Sequence, residues 1–86
     1  MRREEDFFGD EELVLVYVAV RLKDAMALEK ALDEVALDYA VVPAPYTSGV
    51  LFLSQRVGAF FYVAPEHDTV AREIMHRGGF TPYQAD

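Results

Sequence analysis

The sequence predicts an α+β domain, a ferredoxin-like βαββα(β) plait with two helices on one face of an antiparallel sheet. Three observations predict it. An apolar run of eight residues fills 13–20, an apolar stripe of helical period follows it, and two further apolar runs precede a second such stripe. A chain of 86 residues has room for one core, so residues 13–86 are predicted to form a single domain.

The segment before this domain is strongly acidic. Residues 1–12 hold six of the fifteen acidic side chains of the protein. A terminus this polar is typical of disordered chain, and we expect a flexible acidic tail. The adjacent Phe7 and Phe8 are the exception, because apolar rings in a solvated tail can dock on a partner.

The first strand is predicted from Leu13 to Val20, where five of eight residues are β-branched or aromatic. Asp24 is placed to cap the next element, a helix over Ala25 to Leu37. Its apolar residues recur at spacings of three, four and seven and therefore share one helical face. They are Ala25, Leu28, Leu32, Val35 and Ala36.

The second strand is predicted over Tyr39 to Val42. Pro43 is expected to end it, because proline has no N–H to donate to a ladder. The chain up to Gly58 is then predicted to be a loop. Within it, the apolar residues 50–53 form either a short strand or a helical turn.

The third strand is predicted over Val57 to Ala64, and Pro65 suits the first turn of the helix that follows. Gly78 and Gly79 supply a left-handed cap at its end. Phe80 to Tyr83 is expected to add a short edge strand. The buried stripe of the second helix is predicted to be Val70, Ala71, Ile74 and Met75.

Composition excludes several classes of function. The chain has no cysteine, so disulfides and thiolate sites are absent, and the composition suits a cytoplasmic protein. Its net charge of −7 opposes binding to nucleic acid or to anionic lipid. No signal peptide is predicted, and the longest apolar run is far shorter than the roughly 20 residues of a membrane helix.

The sequence carries no recognisable catalytic constellation. His67 and His76, the two imidazoles, are placed near opposite ends of one helix and cannot share a metal ion from there. Glycines that end a helix do not form a phosphate cradle, which opens one. We therefore expect no enzyme activity, no metal site and no cofactor.

The predicted loop is the first candidate site, because binding groups concentrate on loops that rigid elements hold in place. Arg56 offers a guanidinium that can bind a carboxylate or phosphate, although a solvated or ion-paired arginine is the plainer interpretation. The candidate ligand-binding residues are Pro43, Pro45, Tyr46, Ser48, Arg56 and Gly58.

The second candidate site is a face of the sheet. Two helices cover one face, yet the first and third strands are apolar in both phases of their alternation, which would leave an apolar patch in water. We assign the valines of the first strand and Phe61 to the core. The other phase, with Tyr17, Phe60 and Tyr62, is then predicted to join a homo-oligomer, a dimer or trimer. The alternative is that the tail or residues 50–53 cover that face.

Some stretches resemble a known family. Asp24-Ala25-Met26, Glu29 to Leu32, and Val42-Pro43-Ala44-Pro45 resemble a small bacterial family of unknown function described as selenium or sulfur carrier-like. Its proline-x-proline turn, its serine-bearing loop and the apolar strand after it have counterparts here. The strand and helix order is also similar to that of PII-like signalling domains, a likeness of fold only.

The resemblance fails at the residue that matters for sulfur chemistry. The family has a cysteine directly before its glycine, whereas Val57 stands before Gly58 here. A persulfide carrier needs a thiolate, so this chain cannot carry sulfur in that way. The sequence therefore predicts a non-enzymatic interaction or regulatory module that acts as a homo-oligomer. The alternative is a small-molecule-binding or remnant carrier domain that uses the 43–58 loop.

Overall fold

The computed structural model describes residues 1–48 and 54–84, with side chains for all of these except 46–48 and 54–56. The regular elements, in chain order, are β1 (Val14–Ala19), α1 (Leu22–Glu34), β2 (Ala40–Ser48), β3 (Ser54–Val63) and α2 (Asp68–Arg77). Short 3-10 helices lie at Glu5–Phe8 and Pro65–His67. The three strands form one antiparallel sheet in the order β1-β3-β2, so the predicted α+β class is confirmed.

The core lies between one sheet face and the two helices. The strands contribute Val16, Phe61 and Val63, all completely buried. Tyr39, also completely buried, stacks on Phe61 with the ring centroids 5.9 Å apart. The helices close the core with Ala25, Leu28, Leu32, Ala71 and Met75.

The first helix begins and ends three residues earlier than predicted. Arg21, not Asp24, is its N-terminal capping residue, and Asp24 lies in the first turn. Because the helix ends at Glu34, Val35 and Ala36 leave the predicted stripe and are exposed. Ala36 adopts a left-handed φ of 56°, which reverses the chain and carries Leu37 back into the core.

The second helix follows the prediction more closely. Ala71 and Met75 are buried and Ile74 packs against the core, whereas Val70 is exposed and was wrongly assigned to the stripe. Gly79 has a φ of +83°, as the predicted left-handed cap requires. Phe80 folds back over this cap, and its backbone N–H donates to the Met75 carbonyl oxygen at 2.8 Å.

The predicted loop from Pro43 to Gly58 is wrong for every residue in it that the structure describes. β2 continues through both prolines to Ser48, and β3 begins at Ser54, so the two strands form a long β-hairpin. The predicted strand or helical turn at 50–53 lies outside the described residues. Proline is tolerated because β2 is an edge strand, and alternate residues of an edge strand direct their N–H groups away from the sheet. The spacing of two places both prolines on that outer side.

The assignment of Tyr17 to the uncovered face of the sheet is also wrong. A register shift lies between Leu15 and Tyr17, so that Leu15 pairs with Tyr62 while Tyr17 pairs with Phe61. A β-bulge of this kind exchanges the faces of all residues on one side of it. The Tyr17 ring therefore packs against the core, with centroid distances of 6.2 Å to Phe61 and 5.7 Å to Phe80.

Because of the same bulge, not all the valines of the first strand lie in the core as predicted. Val14 pairs with Val63 on the core side, and Val16 at the bulge is completely buried. Val18, beyond the bulge, pairs with Phe60 and lies on the other face. The bulge thus exchanges Tyr17 and Val18 relative to the uninterrupted alternation that the sequence suggested.

Phe80 to Tyr83 forms no strand. The segment runs past β1 and makes one backbone hydrogen bond there, from Tyr83 N–H to the Val16 carbonyl oxygen at 2.7 Å. Pro82 is buried, and Arg72 donates to the Tyr83 carbonyl oxygen at 2.7 Å. The fold is therefore a three-stranded sheet with two helices and a C-terminal segment attached to one edge.

Candidate interaction face

The face of the sheet opposite the helices is apolar across all three strands, over the part of the sheet whose side chains are described. The strand register places Leu15 and Val18 of β1 beside Tyr62 and Phe60 of β3, which in turn lie beside Ala40 and Val42 of β2. We call this surface the open face, because neither helix packs on it; its residues are Leu15, Val18, Ala40, Val42, Ala44, Phe60 and Tyr62. Phe60 and Tyr62 are predicted interface residues that the structure does bring together here.

The acidic tail crosses one end of the open face. Its first residues lie beside β2, where Arg3 N–H donates to the Tyr39 carbonyl oxygen at 2.8 Å and Tyr39 N–H donates to the Met1 carbonyl oxygen at 3.2 Å. Ion pairs from Arg2 to Glu29 at 3.5 Å and from Arg3 to Asp38 at 2.9 Å accompany these bonds. These contacts fix the position in which the structure places the tail against β2. The mobility predicted for residues 1–12 stays a prediction.

The tail covers the open face only in part. A groove of about 500 Å³ remains between them, and we call it the tail groove. Of the twelve tail residues only Phe8 is even half-buried, and Phe7 is 53% exposed. Leu15, Val18, Val42 and Phe60 each keep part of their surface accessible. The tail groove is lined by Glu5, Asp6, Gly9, Glu11, Leu13, Val42 and Tyr62.

Carboxylates border the tail groove. Glu5, Asp6 and Glu11 form no ion pair among the described residues. The pKa of Glu11 is raised, mainly because its carboxyl shares a hydrogen bond with Glu66, and the Glu66 charge adds to this. The border of the open face beside the tail is therefore negative.

Both edges of the sheet already carry chain segments. At the β2 edge, Tyr39 binds the tail, and Pro43 and Pro45 offer no N–H to an added strand. At the β1 edge, the Val16 carbonyl oxygen accepts from Tyr83. Each edge therefore has a segment of the chain bonded to it at one end, and the two prolines make the β2 edge less suited to an added strand.

The predicted ligand-binding residues do not form one site. Pro43 and Pro45 are exposed on β2, and their register places them on the same sheet face as the helices. Gly58 is buried and pairs with Ala44 on the open face. Tyr46 and Arg56 are paired across the hairpin, as are Ser48 and Ser54, but their side chains lie outside the described residues.

A smaller groove lies where the hairpin extends past the start of α1. It measures about 210 Å³, and we call it the hairpin groove. Pro43 and Gly58 are the predicted ligand-binding residues that line it. Val57, the residue directly before Gly58, also lines it and is 71% exposed. The other lining residues include Val20, Arg21 and Leu22.

The described residues show no other centre of chemistry. Nowhere in 1–48 or 54–84 do three or more His, Cys, Asp or Glu side chains converge as a metal site would require. Neither α1 nor α2 is long and apolar enough to cross a membrane. Tyr39 has a raised pKa because it is buried and donates to Asp33 at 3.0 Å, a structural role inside the core.

Sequence reasoning missed five of the seven members of the open face, which are Leu15 and Val18 on β1 and Ala40, Val42 and Ala44 on β2. Leu15 was on the predicted interface phase without being named, and Val18 was assigned to the core. The signal for Val18 is absent from the sequence, since every residue from Leu13 to Val20 is apolar and no change of pattern marks the bulge.

No protein-family model, curated protein or solved structure was found to match the chain.

Proposed function

We propose that the protein is a non-enzymatic interaction module that self-associates through its open face. The observation that carries the proposal is the row of Leu15, Val18, Val42, Phe60 and Tyr62 on the face that neither α1 nor α2 covers. Monomeric proteins rarely leave a contiguous apolar patch of this kind in water, and such patches typically mark interaction sites. Aromatic residues such as Phe60 and Tyr62 are also enriched at the centres of protein interfaces.

A second copy is the proposed partner, as a dimer or a trimer. A domain of this size buries a smaller fraction of its unfolded surface than a larger domain does, and self-association adds apolar burial that the monomer lacks. The acidic tail is held chiefly at Tyr39 and covers one end of the open face, where it leaves Leu15, Val18, Val42 and Phe60 partly accessible. A second copy would pack on this accessible part. We also propose that the fold is a ferredoxin-like plait, in which residues 80–83 take the place of the fourth strand.

Small-molecule binding in the 43–58 hairpin is the less favoured function. The hairpin groove holds about 210 Å³, which is below the roughly 300–1,000 Å³ of typical ligand pockets. The tail groove is larger, at about 500 Å³, but it is open and bordered by acids. A thiol carrier role is not proposed, because the chain has no cysteine.

Light scattering on matched variants tests the proposal. Tyr62→Glu places a charge in the open face, and Phe60→Ser removes apolar area there without adding charge. Both are expected to weaken self-association at least tenfold while circular dichroism shows an intact fold. Val70→Glu adds the same charge at an exposed apolar position on α2 and is expected to assemble like the wild type. Assembly by the two open-face variants at wild-type strength would refute the proposal.

A further inference from the structure

The hairpin groove is an apolar surface that the proposed interface does not use. It lies on the helix side of the sheet, where Ala19, Ala25 and Ala59 form its floor. Around this floor, Leu22 is 76% exposed and Val57 71% exposed. Two large apolar side chains so accessible beside one groove are unusual for a monomer and indicate a docking surface.

The charged side chain that lines the hairpin groove is a cation, in a protein whose net charge is −7. It belongs to Arg21, which forms no ion pair among the described residues, and no acidic residue lines the groove, although Lys23 and Asp24 follow in the first turn of α1. This is also the N-terminal end of α1, where the helix dipole adds a partial positive charge. The groove thus combines exposed apolar side chains with one arginine that has no ion-pair partner among the described residues.

The open face has a border of the opposite charge beside the tail. Glu5, Asp6 and Glu11 border it, and they lack ion-pair partners in the described part of the chain. A two-fold dimer would bring this face against its own copy and place these acids near one another. Contact between the open face of one copy and the hairpin groove of another instead brings these acids to Arg21, with apolar surface on both sides.

We infer that self-association is head-to-tail, with the open face of one copy docked on the hairpin groove of the next. This inference rests on the proposed function and adds the second half of the contact. A heterologous contact of this kind closes into a ring when the rotation between copies allows it, and otherwise continues as a chain. The predicted trimer would be the smallest closed ring, and the dimer an open intermediate.

Complementation between two variants tests the geometry. Arg21→Glu with Leu22→Ser disables the groove but leaves the open face intact, whereas Phe60→Ser disables the open face but leaves the groove intact. Each protein alone is expected to sediment as a monomer of 9.7 kDa. An equimolar mixture is expected to form a complex of about twice that mass, because one intact face meets one intact groove.

The control inverts a charge elsewhere on the same helix. Lys30→Glu changes an exposed lysine outside the hairpin groove and is expected to assemble within twofold of the wild type. If the groove variant assembles like the wild type, and the mixture forms no new complex, the head-to-tail geometry is wrong while self-association through the open face stands. If the wild type itself remains monomeric, both are wrong.

Discussion

Val16 and Val18 offer a matched test of the β-bulge that decides which residues form the open face. Val16 is completely buried in an apolar core cluster, whereas Val18 is half-buried on the open face beside Phe60. Val→Thr keeps the side-chain shape and replaces one methyl group with a hydroxyl. The same substitution at the two positions therefore compares a site that water cannot reach with a site that is partly accessible to water.

The expected losses differ by several-fold. A hydroxyl buried without a partner costs about 1–3 kcal/mol, so Val16→Thr should lower the free energy of unfolding by that amount. For a domain of this size each kcal/mol lowers Tm by roughly 4–8 °C. Val18→Thr should cost less than about 0.5 kcal/mol, because its hydroxyl can reach water.

Urea unfolding followed by circular dichroism measures both values. The experiment is run at one low protein concentration, so that self-association adds nothing to the stability of any variant. An uninterrupted strand would direct both valines to the core, and the two variants would then lose similar stability. Equal losses would refute the bulge and, with it, the composition of the open face.

Three further predictions concern single contacts. Tyr39→Phe is expected to lower the free energy of unfolding by about 1 kcal/mol in the same urea assay, because it removes the 3.0 Å hydrogen bond to the half-exposed Asp33 carboxylate. An unchanged free energy of unfolding would contradict a stabilising role for this hydrogen bond. Gly79→Ala is expected to lower it by about 1 kcal/mol, since φ of +83° strains any residue with a Cβ, and an unchanged midpoint would contradict the cap geometry. The pKa of Glu11 is raised from 4.5, mainly by its hydrogen bond with Glu66, so the protonated form of Glu11 stabilises the fold. This stabilisation is complete below pH 4.5 and is lost as the pH rises through the raised pKa. The Tm of the wild type relative to Glu11→Gln should therefore fall over that interval, and a constant difference would show that Glu11 and Glu66 do not interact.

The sequence was sufficient for the elements whose pattern has a single interpretation. The helical stripe at Ala25, Leu28 and Leu32 is buried as its spacing indicates, and Gly79 takes the left-handed conformation that a glycine after a helix favours. In each case one local rule and the tertiary structure agree. These elements fixed the α+β class before any contact was known.

The hairpin could not be predicted because its prolines obey a rule that depends on neighbours. A proline ends a strand that has partners on both sides, but it is tolerated in an edge strand when its nitrogen is directed outward. Whether β2 lies at an edge is set by the sheet order, a tertiary property. Two prolines at a spacing of two nevertheless fit an edge strand, because that spacing directs both nitrogens to the same outer side.

The sequence could predict that an apolar open face exists, but not which residues form it. Two apolar phases in one strand indicate that both faces are covered or docked, and this reasoning placed Phe60 and Tyr62 correctly. The exchange of Tyr17 and Val18 could not be read from the sequence, because a strand that is apolar in both phases carries no information about where its register shifts. Only the pairing with β3 determines it.

Sedimentation equilibrium of the wild-type protein tests the central claim most directly. The proposed self-association predicts an average mass that rises with concentration from 9.7 kDa toward at least twice that value in the micromolar range. A mass that stays at 9.7 kDa up to high micromolar concentration would contradict the claim that the open face is an interface between copies of this chain.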